Sequence, residues 1–370
     1  DSVMWGVYQH LHLDMFQRVE ELPATSVAEA RRRVYDIPKY AHPYNVKCRA
    51  QLNAWLKRYR FGTDVFTDDE LETMTNDKFF NDQERIGAAK HLPYRTILVL
   101  QEARRIISSV LGNYVDEEIY PYCRFSRNST VGFGGEDVYL DKKIYPGARL
   151  TGTKAECEWF TDYLQGDPLL RSCLEHEGTV NFDLVDSLKQ VNVPKTAVIM
   201  RPVRPNTLIG SFRSIGIGEL VKSKLKEHMG INLNYLQSKH QRWAKKASRE
   251  MRWVTADLSS ASDSFTPALL NRLLPRSLYN ALKLGRTPYV EVGGRKIWSP
   301  SFMAMGIGYT FPVMTLCFTA ILRAIQRLSG TRGLVSVFGD DLIYPLKIHH
   351  LVSGVLNDIN FRLNMDKTFT

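Results

Sequence analysis

Two adjacent aspartates, Asp340 and Asp341, follow Gly339 between two apolar runs, Leu334-Val335-Ser336-Val337-Phe338 and Leu342-Ile343-Tyr344. The runs read as two β-strands and Gly-Asp-Asp as the tight hairpin joining them. Neighbouring carboxylates at a hairpin tip repel each other, so a fold that keeps them there needs a compensating cation or a proton. Gly-Asp is also ordinary turn chemistry, and the triplet alone does not separate a turn from a site.

Upstream segments add to it. Trp253-Val254-Thr255-Ala256-Asp257 alternates as a strand does and ends on a carboxylate. Leu258 to Asp263 follows as a serine-rich loop, and Thr266-Pro267 reads as an N-cap with proline at the first helical position. Asp263 is explained by capping as well as by function; Asp257 needs a partner from elsewhere in the fold. Between the two acidic sites lies Gly306-Ile307-Gly308-Tyr309-Thr310, then the apolar stretch Phe311 to Leu328, expected to be a buried helix. Trp298 to Leu322 carries no charge, but Gly306, Gly308 and Pro312 interrupt it. The continuous apolar part falls short of the roughly 20 residues that a membrane span needs, and a core helix is expected.

The order strand-Asp-loop-Asp, glycine loop and helix, hairpin Gly-Asp-Asp resembles motifs A, B and C of the palm of viral RNA-dependent RNA polymerases. Thr255 to Ser264, Met305-Gly306-Ile307-Gly308-Tyr309-Thr310-Phe311 and Val337-Phe338-Gly339-Asp340-Asp341 resemble the replicase catalytic subunit of levivirus-type RNA bacteriophages. So do Cys123-Arg124-Phe125-Ser126, Val193-Pro194-Lys195 with Arg201, Gly216-Ile217-Gly218, and Asp366-Lys367-Thr368-Phe369, the last as motif D.

The resemblance implies nucleotidyl transfer: in-line attack of a 3′-hydroxyl on an α-phosphate, aided by two divalent ions. Asp257, Asp340 and Asp341 are the expected ligands of Mg²⁺, or of Mn²⁺ in its place; Mg²⁺ takes one or two carboxylates plus water and phosphate. Lys195, Arg201 and Arg204 are expected to grip the triphosphate as motif F, where arginine's fork suits phosphate. Lys367 is expected to protonate the leaving pyrophosphate. Asp263, Gly306 and Thr310 are expected to recognise the nucleotide and its ribose. Ile307 departs from the family, which usually has asparagine there, and Pro312 and Met314 stand where it has acidic residues. An apolar side chain cannot hydrogen-bond a hydroxyl.

The implied fold is α+β, a right-hand polymerase with an antiparallel palm sheet flanked by helices. Residues 1–206 are expected to form helix-rich fingers and 207–370 the palm, with a fingers insertion at about 276–300. Within these, Thr67-Asp68-Asp69-Glu70 reads as a capping box. A helix is expected over Tyr94–Leu111, stopping at Gly112. Tyr289–Val292 and Arg295–Trp298 flank Gly293-Gly294 as a hairpin. The chain begins at Asp1 and stops at Thr370, soon after the motif D lysine, so a thumb is expected to be missing and the chain alone to extend a primer poorly.

Net charge is +10 over 370 residues, and Lys222 to Arg252 holds nine Lys or Arg against Glu227 and Glu250. That basic, helical segment with Tyr235 and Trp243 suits an RNA backbone, although a solvated helix face has the same composition. The five cysteines, Cys48, Cys123, Cys157, Cys173 and Cys317, show no paired spacing, which argues against zinc and disulfide frameworks. With no signal-peptide pattern at the start, the cytoplasm of a bacterial host is expected. Template and product RNA and NTPs are the expected partners; the resemblance adds host translation elongation factors and a ribosomal protein. Two alternatives remain: a reverse transcriptase, separable by offering NTP or dNTP, and an inactive RNA-binding palm relic. The relic draws its support from Ile307 and Met314.

Overall fold

A computed structural model describes residues 67–88, 91–196 and 199–369. Cys48 and the first 66 residues of the expected fingers lie outside the described residues. The chain divides into two compact units. Among described residues the first holds 67–80 and 191–203, and the second holds 81–190 and 204–369. The expected boundary at 206 does not coincide with this division. The long helix expected in the fingers buries its apolar face in the second unit's core, and that packing overrides chain order.

In the first unit, helix α1 (Asp68–Gly87) starts at the expected capping box. Thr67 N–H donates to Glu70 Oε2 at 2.7 Å and Glu70 N–H to Thr67 Oγ1 at 3.2 Å, satisfying two end donors reciprocally. The rest of the described part is an antiparallel hairpin, Val191–Thr196 with Ile199–Val203, whose register shifts between Pro194 and Thr196. Asn192 Nδ2 donates to Asn76 Oδ1 at 2.9 Å.

The second unit is built round two apolar helices. Helix α2 (Tyr94–Leu111) presents Val99, Leu100, Ala103, Ile106, Ile107 and Val110 to the core at helical spacing. It ends at Gly112, whose φ of +63 is one that glycine favours, as expected. Further along come α3 (Lys154–Gly166), α4 (Leu208–Met229), α5 (Leu233–Glu250), α6 (Thr310–Leu328) and α7 (His349–Asp358). Helix α6 is the expected buried helix. It is long and apolar enough to cross a membrane, but 72% of its apolar window is buried inside this chain. Each fully buried Leu, Ile or Phe contributes up to about 1.5–3 kcal/mol, and α6 buries Leu316, Phe318, Ile321, Leu322 and Ile325. Pro312 lies in its first turn, where a missing N–H costs little.

Four strands make the central sheet: β1 (Trp253–Ser259), β2 (Ser336–Phe338), β3 (Asp341–Pro345) and β4 (Arg362–Leu363). Their spatial order is β4-β1-β3-β2 and all pairings are antiparallel. Strand β1 buries Val254, Ala256 and Leu258 and leaves Thr255, Asp257 and Ser259 half-buried; the alternation read from sequence over 253–257 continues through Leu258 and Ser259, which were expected in the loop and instead pair with β4. Phe369 extends its second edge by pairing with Thr255. The Tyr289–Val292 and Arg295–Trp298 hairpin also forms as expected, with Gly293 and Gly294 both at positive φ, the requirement of a type I′ turn.

Candidate active site

Strand β2 ends at Phe338 and β3 begins at Asp341, its register partner, so Gly339-Asp340 is a two-residue turn. Gly339 is at φ +65 and Asp340 is not among the positive-φ residues, the pattern of a type II′ turn. The expected hairpin is present, one residue shorter than read: Asp341 belongs to the strand. On its other edge β3 pairs with β1 so that Asp341 lies directly opposite Asp257. Opposed residues of an antiparallel pair share a face with Cα atoms about 4.5–5.5 Å apart. Of the three expected metal ligands, Asp257 and Asp341 are register partners and Asp340 is next to Asp341 in the turn.

The three carboxylates concentrate like charge. Loss of water around Asp341, then the charges of Asp340 and Asp257, push its pKa up to about 6, while Lys367 pulls the other way. Asp341 is exposed by area, yet the neighbouring walls still restrict its hydration. Asp257 is held from the far side: Asn364 Nδ2 donates to its Oδ2 at 3.1 Å and Lys367 Nζ lies 3.3 Å from the same oxygen. Lys367, the expected proton donor to pyrophosphate, here forms an ion pair with Asp257.

No three His, Cys, Asp or Glu side chains among the described residues close into a metal cage. Asp341 opposite Asp257, with Asp340 in the adjoining turn, is the observation that fits these residues to a cation.

The other expected site residues are placed differently. Arg204 is buried, and its guanidinium pairs with Asp263 and reaches the Met303 carbonyl at 3.4 Å. Its backbone N–H donates to Met305 O at 3.0 Å. In this structure its charge is engaged by Asp263 rather than offered to a triphosphate. Burial raises the pKa of Asp263, opposed chiefly by Arg204. Thr310 is also buried, and its hydroxyl donates to Ala304 O at 2.9 Å, closing the glycine loop. Gly306 is exposed at φ +111, a conformation that glycine favours. Lys195 and Arg201 stand on the hairpin of the first unit.

Ile307 packs against the core and Met314 is buried, so both departures from the family pattern are filled positions rather than vacancies. Sequence reasoning missed Asn364, Thr315 and Ser214, and it singled out Gly218 without showing what that glycine approaches. Thr315 Oγ1 accepts the Gly339 N–H at 3.0 Å. Ser214 Oγ accepts the Gly308 N–H at 3.2 Å, beside a close approach of Gly308 to Gly218 on α4. The Gly216-Ile217-Gly218 triplet was the available signal for that approach.

The family described as RNA replicase, beta-chain, matches residues 69–370. The chain is 32% identical over 273 residues to the RNA-directed RNA polymerase beta chain of Enterobacteria phage fr, covering 74% of this chain and 49% of that one. It is 32% identical over 272 residues to the beta chain of Escherichia phage MS2, with 73% and 49% covered. It is 33% identical over 272 residues to the RNA-directed RNA polymerase subunit beta of Escherichia virus Qbeta, with 72% and 44% covered. The chain thus spans about half the length of the curated relatives it matches. With a family match running from Asp69 to the last residue, over the aspartate strand, the glycine loop and the Gly-Asp-Asp turn, the chain belongs to the RNA replicase beta-chain family of RNA bacteriophages.

Proposed function

We propose that this chain carries the catalytic centre of an RNA-directed RNA polymerase, joining NTPs on an RNA template in the cytoplasm of a bacterial host. The observation that carries the reading is the Asp257–Asp341 register pair with Asp340 in the adjoining turn. In this reading the central sheet with α6 and α7 is the palm, and the Tyr289–Trp298 hairpin belongs to a fingers insertion. Asp257, Asp340 and Asp341 would hold Mg²⁺, which when bound supplies positive charge to the reacting phosphate oxygens. Asn364 and Lys367 orient Asp257 by both engaging Oδ2. Lys195 and Arg201 keep the phosphate-binding role that the family resemblance implies, and the host translation factors stay in the proposal on the same ground. Helix α5 buries Leu233, Leu236, His240 and Ala247 and exposes Lys239, Arg242, Lys245, Lys246 and Arg249, a basic face suited to an RNA backbone.

The test is Asp340→Asn in the replicase that contains this chain. The substitution keeps shape and removes one charge. RNA synthesis should be abolished while salt-dependent RNA binding stays near wild type. Activity surviving within a few-fold would remove Asp340 from the mechanism, and incorporation of dNTP in preference to NTP would favour the reverse transcriptase.

A further inference from the structure

The catalytic turn is held from below by one face of α6. Gly339 is buried, and a two-residue turn leaves its N–H outside the β2–β3 ladder. A buried N–H without an acceptor is costly. The acceptor is Thr315 Oγ1 at 3.0 Å, from a side chain with no exposed surface. The same hydroxyl donates to Phe311 O, one helical turn back, at 2.9 Å, which fixes the direction of its lone pairs. The rest of the seat is shape. A Cβ on Gly339 would lie 2.6 Å from Phe311 Cε2 and 3.3 Å from Met314 Cε. The Phe311 ring meets Phe338, the residue before the turn, edge to face with centroids 4.8 Å apart.

We propose that Thr315 is a positioning residue for RNA synthesis: its hydroxyl anchors the backbone of the Gly339-Asp340 turn to α6 and thereby sets where Asp340 and Asp341 stand relative to Asp257. The inference rests on the polymerase reading above. Phe311 and Met314 limit approach of the turn to the helix, and the Thr315 hydrogen bond limits its retreat. A hydroxyl in the middle of a buried apolar helix is otherwise a poor choice, since valine has the same shape without a polar group to satisfy.

The experiment compares Thr315→Val, Thr315→Ala and Thr315→Ser in the RNA-synthesising replicase, with Asp340→Asn beside them. Val and Ala should lower kcat by roughly a hundredfold, the scale of a displacement near one ångström, with KM for NTP moving little. Ser keeps the hydroxyl and should restore kcat to within a few-fold. Hydrogen exchange supplies a readout independent of activity: the Gly339 amide should exchange faster in Val and Ala than in Ser, with exchange in α2 unchanged. Should Val not fold, Ala against Ser still separates loss of the hydroxyl from loss of the methyl. Equal kcat and equal Gly339 exchange in Ala and Ser would overturn the inference. Survival of synthesis in Asp340→Asn would instead defeat the reading on which it rests.

Discussion

Gly218→Ala puts a general rule against a particular contact. In an ordinary helix interior the change stabilises by about 0.8–1.0 kcal/mol, because alanine loses less backbone entropy. Gly218 lies inside α4 and would take that gain if there were room. Its added Cβ would stand 2.7 Å from Gly308 O, 3.2 Å from Gly308 C and 3.3 Å from Tyr309 Cα, all backbone atoms. Gly308 has no slack in return, since a Cβ there would be 2.8 Å from Ile215 N. The glycine loop must therefore retreat by several tenths of an ångström. Overpacking of this kind costs about 1–3 kcal/mol. The Gly308 N–H to Ser214 Oγ bond, already 3.2 Å, stretches as well, and a typical bond contributes about 0.5–1.5 kcal/mol. Set against the helix gain, the net is a loss of roughly 1–2 kcal/mol. Gly166, at the end of α3, has nothing within 4 Å of its would-be Cβ and is the control. Urea denaturation should move the two variants in opposite directions, Gly166→Ala slightly up and Gly218→Ala down. If both stabilise equally, the backbone contact is not a constraint and the reasoning fails.

Two further outcomes follow from buried charge. His240 is buried against Ser336, with Nδ1 2.8 Å from its Oγ, and burial lowers its pKa to about 4. The unfolded chain takes up this proton near pH 6.5 and the folded chain does not, so the stability it contributes is whole above 6.5 and is lost as pH falls toward 4. That amounts to about 2 kcal/mol between pH 7.5 and 5, and His240→Gln should flatten the pH dependence of the urea midpoint; an unchanged slope would refute it. Arg204→Met leaves Asp263 buried without its partner and should cost about 3–5 kcal/mol, with much of it recovered in Arg204→Met/Asp263→Leu. A variant of unchanged stability whose KM for NTP alone rises would restore Arg204 to the triphosphate.

Local pattern was enough wherever a residue's neighbours in sequence decide its conformation. The alternation in 253–257, the capping box at Thr67 and the paired glycines at 293–294 each produced the expected element, the strand running two residues further, to Ser259. Partners distant in the chain were not legible. Arg204 reads as one more basic residue beyond a β-rich stretch, and only the fold brings Asp263 to it. Thr315 reads as filler in an apolar helix until Gly339, 24 residues on, arrives with an unsatisfied N–H. Asn364 gave no signal at all, because its contact with Asp257 depends on β4 turning back along β1.

The one-residue difference at the Gly-Asp-Asp hairpin has a similar origin, and it bears on the proposed chemistry. The apolar run 334–338 suggests a strand throughout, yet pairing starts at Ser336 and the turn takes up Gly339 and Asp340. Asp341 thereby enters the ladder opposite Asp257, while Asp340 is placed by turn geometry instead of by register. A register partner is fixed by hydrogen bonds on both sides of the strand; a turn residue is fixed only by what seats the turn. The seat here includes Met314, where an acidic side chain would bring a further negative charge against Asp341, whose pKa burial and then Asp340 and Asp257 already push up. An apolar residue at 314 is thus consistent with a working site. It removes one source of repulsion from the group of carboxylates, and so the departure at Met314 does not by itself favour an inactive relic.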